Sequence, residues 1–213
     1  MRIRGEMSNL AKSDRTRASI LEAATEEFAL MGLAGATIDA IAARTKKSKR
    51  MIFHYFGSKQ NLYVAVLEQA YRAIRSREAA LNLDNMPPRE ALTLLVQETF
   101  DHHDQNLTYS QLVGLENIHQ GDNMEASEAI KAANANTVPS LKRLIDRGLE
   151  TGAFTIPIDP IDLHYAISAL CVFRIRNRYT FSNVVGKDIR GTEISNRHRA
   201  MAVDAILALV GAR

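Results

Sequence analysis

Apolar positions in this chain recur mostly at intervals of three and four, and no segment alternates with the two-residue period of a strand over a useful length. The pattern predicts an all-α protein. A first helix is expected over about residues 15–31, because Ile20, Ala24, Phe28 and Met31 share one face and Gly32 follows, where a left-handed cap costs glycine little. Residues 1–14 read as a loose arm. Thr37 is an N-cap for a short second helix, 38–44, with Asp39 well placed in its first turn. Ser48 caps a third helix through Tyr55, Gly57-Ser58 breaks the chain, and Ser58 caps a long fourth helix to about Ala80. Tyr63, Val66, Ala70 and Ile74 give that fourth helix an apolar face. At about 1.5 Å per residue it spans roughly 30 Å.

Pro87-Pro88 ends this region and sets the first turn of the next element. Further helices are expected at about 89–105, 109–119, 124–150, 161–184 and 193–211. The breaks fall at Asn106-Leu107-Thr108, at Gly121-Asp122-Asn123, at Pro157 and Pro160, and between Gly186 and Gly191.

Charge changes the picture more than composition does. Residues 1–60 carry eleven Lys or Arg against six Asp or Glu, a net of +5, while the remaining 153 residues carry a net of −2. A basic head on a slightly acidic body points to a nucleic-acid-binding module attached to something else. The single cysteine, Cys171, excludes an internal disulfide framework, and the basic N-terminus lacks the apolar run of a secretory signal. No apolar run approaches the roughly 18 residues of a membrane span. A cytoplasmic protein that does not enter a membrane is expected.

The stretch "ARTKKSKRMIFHYFGSK" joins six Lys or Arg, from Arg44 to Lys59, with Met51, Ile52, Phe53, Tyr55 and Phe56. Two short helices linked by three or four residues form a helix-turn-helix, whose second helix projects as a rod able to enter a major groove. Ile52 and Phe56 lie one turn apart and hold that rod inward. Lys49, Arg50, Met51 and His54 are left to face outward, toward phosphates and base edges.

Here the sequence "ATIDAIAARTKKSKRMIFHYFGSKQNLYVAVLE", with "RTRASILEAATEEFALMGLAGAT" before it, resembles the DNA-binding region of the TetR family of bacterial transcriptional regulators. The resemblance covers about residues 15–70. It implies a DNA-binding domain over 1–60 and a helical effector-binding and dimerisation domain over 61–213. It further implies a homodimer on double-stranded operator DNA, released by a small-molecule effector. Carried over position by position, Thr37 caps its helix and touches a phosphate, and Ser48, Lys49, Arg50, Met51, His54 and Tyr55 form the reading surface. Lys59 clamps the backbone of the DNA. The chain departs from the family pattern at the turn, where Lys46 and Lys47 replace glycine and an apolar residue and Lys46 is expected to adopt a positive φ. Arg50 stands where a small residue is usual, and Phe53 where tyrosine is common.

Other motifs carry less. "TFDHHDQN" holds Asp101, His102, His103 and Asp104, but adjacent side chains on a helix diverge by about 100°, so no metal site is expected there, nor from Glu116 with His119. Cys171, in an apolar helix, reads as a small buried residue. No phosphate loop, nucleophile elbow or other spacing implies catalysis or a cofactor. Arg174 and Arg178, in an otherwise apolar helix, must reach solvent, a partner or a ligand anion. The ligand pocket is expected among 89–105, 109–119, 124–150 and 161–184, with Phe100, His103, Leu112, Glu116 and Phe173 as lining. A dimer interface is expected from Ala166, Ile167 and Leu170 with Met201, Ala205 and Ala208. Two other readings stay open: an architectural DNA-binding dimer that answers to no ligand, and a small-molecule carrier whose basic head meets RNA or anionic lipid.

Overall fold

The computed structural model describes residues 2–125 and 127–212, which are helical with no strand among them. By contact the chain forms two compact units: Met1–Ala70 with Gln111–Ile130, and Tyr71–Ser110 with Lys131–Arg213. A later segment, Gln111–Ile130, thus packs with the N-terminal helices in the first unit.

In the first unit α1 (Arg2–Gly35) precedes α2 (Ile38–Thr45), α3 (Lys49–Phe56) and the first part of α4 (Lys59–Ala80). Residues 2–14 are therefore helix and not an arm. They contain no proline, and extending an existing helix adds a hydrogen bond for each residue fixed. Regular helix geometry breaks at Gly32, whose φ of 67° and ψ of 175° suit glycine alone. Ile20, Ala24 and Phe28 are fully buried as the spacing predicts, but Met31, the last residue before the break, is 51% exposed. Ile41, Ile52, Leu62, Tyr63 and Leu112 complete this core, and Phe28 meets Tyr63 edge to face at 5.1 Å. Part of α6 (Leu107–Ile118), then α7 (Asp122–Glu125) and the start of α8 (Glu128–Asn134), belong to this unit.

In the second unit α5 (Pro88–Gln105) is the central element, packed against α9 (Thr137–Glu150), α10 (Pro160–Arg176) and α12 (Thr192–Leu209). Leu92, Val96, Phe100, Leu144, Phe154, Leu163, Ile167 and Ile206 fill the space between them. A 3-10 turn, Leu83–Asn85, links α4 to α5.

Two long helices read from the sequence are divided in the structure. The span 124–150 is α7, α8 and α9, with Ser127 Oγ capping α8 by accepting from the Ile130 N–H at 3.2 Å. The span 161–184 is α10 followed by α11 (Arg178–Val185). Between them Asn177 Nδ2 donates to the Phe173 carbonyl at 3.0 Å, a local side-chain bond that competes with continued helix.

Candidate functional site

Only Lys46, Lys47 and Ser48 separate α2 from α3. Each helix starts on a side-chain cap. Thr37 Oγ1 accepts from the Ala40 N–H at 3.1 Å, and Ser48 Oγ accepts from the Met51 N–H at 3.2 Å. Lys46 takes the left-handed conformation, φ 55° and ψ 28°, and its N–H closes α2 on the Ala42 carbonyl. For a residue with a Cβ this costs about 1–2 kcal/mol. That cost goes into the sharp turn that sets α3 across α2. Ile52 and Phe56 are buried, and the Arg17 guanidinium lies 5.3 Å above the Phe56 ring. Lys49, Arg50, Met51, Phe53 and His54 are exposed, while Tyr55 is half-buried with its hydroxyl 3.2 Å from Ser13 Oγ.

The cations of this surface fall into two groups. Arg44 pairs with Glu26 at 3.0 Å and Glu27 at 3.6 Å, and Lys49 pairs with Asp39 at 2.5 Å. Lys59 Nζ donates to the Ala36 carbonyl at 3.1 Å, tying the start of α4 to the loop before α2. Among the described residues the side chains of Lys46, Lys47 and Arg50 make no ion pair or hydrogen bond.

The second unit holds a cavity of about 310 Å³. Its walls come from the end of α4 (Arg75, Glu78, Ala79), the turn after it (Asn82, Leu83, Asp84), α5 (Leu95, Thr99), α9 (Thr137, Leu141, Leu144) and α10 (His164, Ile167), with Ala133 of α8. Arg75 spans Glu78 at 2.5 Å and Asn134 Oδ1 at 2.8 Å. Burial pushes the Glu78 carboxyl upward against the pull of Arg75, and burial together with Arg75 pushes His164 down toward the neutral ring. The Thr137 hydroxyl is buried without a partner among the described residues, and it lines this cavity.

None of the five ligand residues expected from sequence lines this cavity. Leu112 and Glu116 fall in the first unit, Phe100, His103 and Phe173 in the second. Glu116 is 1% exposed and accepts from Tyr63 Oη at 3.0 Å, from the Asn123 N–H at 2.8 Å and from Asn123 Nδ2 at 3.2 Å. Burial, then the Glu116 charge, pushes the Tyr63 hydroxyl well above its ordinary range. This carboxylate ties α4, α6 and α7 together. Phe100 is core, beneath the Arg174 guanidinium at 5.2 Å. His103 is buried with Nδ1 3.0 Å from Ser110 Oγ, and burial, then His102 and Arg75, lowers it to about 4. Phe173 is 53% exposed beside Phe181. The sequence could mark them as apolar or polar, but not the side from which neighbouring helices approach. Arg75 and Glu78 line the cavity instead, and the only sequence signal for them is their three-residue spacing just after Ile74.

Arg174 turns inward. It is 6% exposed, pairs with Asp104 and donates to Ser195 Oγ at 2.9 Å, so its partners are internal. Arg199 holds Asp101 through two bonds of 2.8 and 2.7 Å. The acids of "TFDHHDQN" thus anchor α10 and α12 to α5. Arg178 lies 4.8 Å over the Tyr179 ring. Cys171 is buried and its thiol is pushed up to about 12, chiefly by burial, which leaves it unreactive.

Comparison with known proteins fits this geometry. Residues 20–66 match the family described as "Bacterial regulatory proteins, tetR family", and residues 88–206 match "Tetracyclin repressor-like, C-terminal domain". The chain belongs to the TetR family. It is 34% identical over 178 residues to the HTH-type transcriptional repressor NicS of Pseudomonas putida, covering 84% of each chain. Over 56 residues it is 48% identical to the HTH-type transcriptional repressor SCO4008 of Streptomyces coelicolor, which is 26% of this chain and 29% of that one. A solved TetR-family regulatory protein from Rhodococcus RHA1 shares the fold, with a TM-score of 0.72 at 21% identity over 93% of this chain and 98% of that one. Like that family, the chain is a DNA-binding transcriptional regulator built on a helix-turn-helix. No helix among the described residues is long and apolar enough to cross a membrane.

Proposed function

We propose that this TetR-family protein is a cytoplasmic, homodimeric one-component repressor that leaves its operator when a small molecule enters the cavity of the second unit. The observation that carries the reading is the capped α2–α3 pair, which buries Ile52 and Phe56 while exposing Lys46, Ser48, Arg50, Met51 and His54, with Lys47 half-buried beside them. Relatives named as repressors support the direction of control. DNA binding is assigned to residues 1–60, and effector binding with dimerisation to 61–213. Lys49 and Lys59 already serve internal contacts, so DNA must exchange with Asp39 and the Ala36 carbonyl to engage them.

The cavity suits an effector because it combines leucine and isoleucine walls with a few convergent polar groups. Its α4 residues, Arg75, Glu78 and Ala79, lie on the same continuous helix that begins at Lys59. A ligand that favours one placement of this helix end shifts the equilibrium between DNA-competent and released forms by its differential affinity.

The dimer surface is assigned to α10 and α12. On α12 Met201, Ala205 and Ala208 are exposed as expected. On α10, however, Ile167 is core and Ala166 and Leu170 pack partly against it, whereas Ile161, Tyr165 and Phe173 are 63%, 74% and 53% exposed. The apolar face left for a symmetry mate is that second set.

The test is fluorescence anisotropy on duplexes enriched from the protein's own genome, followed by titration with metabolites of the neighbouring genes. Saturable, sequence-selective binding reversed by one metabolite, and desensitised by Thr137→Val or Leu144→Phe, is expected. Selective binding that no metabolite reverses would instead favour an architectural DNA-binding dimer, and absence of selective binding would overturn the proposal.

A further inference from the structure

The unpaired cations of the helix-turn-helix are not equivalent. Lys46 and Lys47 lie in the turn, where side chains meet the sugar-phosphate backbone, whereas Arg50 is the second residue of α3, at the end of a recognition helix that contacts base edges. Lys49, its neighbour, is occupied by Asp39 at 2.5 Å. Arg44 is occupied by Glu26 and Glu27. Arg50 is exposed, has no ion pair or hydrogen bond among the described residues, and follows a turn whose three members are all set by backbone contacts or a cap.

Resting on the DNA-binding reading, we infer that Arg50 is the principal base-reading side chain and selects a guanine in each half-site, while Asp39 holds Lys49 back from the DNA. A guanidinium presents two parallel N–H donors that match guanine O6 and N7 in the major groove, and no other base offers two acceptors there. An ammonium can also bridge these two acceptors, so only a change that removes the donors altogether isolates the contribution of Arg50. Lys46 and Lys47, contacting phosphate, contribute affinity without preference. The Asp39 carboxylate competes with phosphate for Lys49, so it lowers affinity for every duplex and leaves discrimination to Arg50.

Selection from a randomised duplex pool, with wild-type protein and with Arg50→Ala, Lys47→Ala and Asp39→Asn, tests each part. Wild type is expected to enrich duplexes with one guanine fixed in each half-site. Replacing that guanine by adenine should weaken wild-type binding by roughly 10- to 100-fold, and Arg50→Ala binding by less than about 3-fold. Lys47→Ala should weaken both duplexes equally and lower the slope of log affinity against log salt by about 1.8, since the dimer carries the residue twice. Asp39→Asn should strengthen both by roughly 3- to 10-fold with the preference intact. Arg50 is exposed, so unchanged helicity and melting confirm that the variant folds. Arg50→Ala with full wild-type discrimination would overturn the assignment to Arg50, and unchanged affinity in Asp39→Asn would overturn the restraint on Lys49. A wild-type protein that enriches no sequence would overturn the DNA reading itself.

Discussion

At the scale of single residues, buried polar groups do most of the fixing. Glu116 is the sole carboxylate facing the Tyr63 hydroxyl and both Asn123 donors in the contacts described, so Glu116→Ala would leave three buried donors without an acceptor. A loss of about 2–4 kcal/mol is expected, read from the urea midpoint. His103 gives a pH dependence of known sign. Its ring is held neutral to about pH 4, whereas in the unfolded chain it takes up a proton near pH 6.5. The unfolded state therefore binds the extra proton in that window, and stability is full above it and falls as the pH drops through it, by up to roughly 3 kcal/mol. His103→Gln should flatten this part of the stability profile between pH 7 and pH 4.5. A variant with the wild-type slope would place the dependence on other groups.

At the scale of elements, the helices are set by caps at their ends and by close approach along their lengths. α9 shows the second effect. Gly148 sits inside it, buried, with its carbonyl accepting from the Phe154 N–H at 2.9 Å, and a Cβ there would overlap the Phe154 ring. Glycine to alanine inside a helix ordinarily gains about 0.5–1 kcal/mol. Here Gly148→Ala is expected to lose roughly 2–3 kcal/mol, because a fully buried ring in a dense core has nowhere to move. Thermal melting settles it, and a raised midpoint would mean that Phe154 repacks freely.

At the scale of the whole molecule, α10 and α12 both carry apolar side chains open to solvent in the single chain. Ile161, Tyr165 and Phe173 on one and Met201, Ala205 and Ala208 on the other are exposed in the single chain, with the carboxylates of Asp162 and Asp204 among them. Under the proposed function a symmetry mate covers them. Ala205→Glu, which introduces a charge at a position exposed in the single chain, should leave each chain folded, shift sedimentation from dimer to monomer at micromolar concentration and weaken operator binding together with it. A variant that remains dimeric would move the interface elsewhere.

What the sequence determined by itself is local. Thr37, Ser48 and Ser58 were legible as caps, Lys46 as a left-handed turn residue, and Ile20, Phe28, Ile52 and Phe56 as anchors, because each depends on neighbours within a few residues along the chain. The caps and buried anchors of the helix-turn-helix were therefore readable in the sequence. Only the tertiary structure decided what depends on approach from a distant segment. Asp39 against Lys49 is one case across a turn, and Asp104 against Arg174 is another, joining residues 70 positions apart. The same holds for the cavity. α10 is apolar around most of its circumference, so its sequence could not say that Ile167 faces inward and Tyr165 outward. That choice was made by α5, α9 and α12 packing on one side of it, and by Arg174, whose charge could be buried only where Asp104 and Ser195 met it.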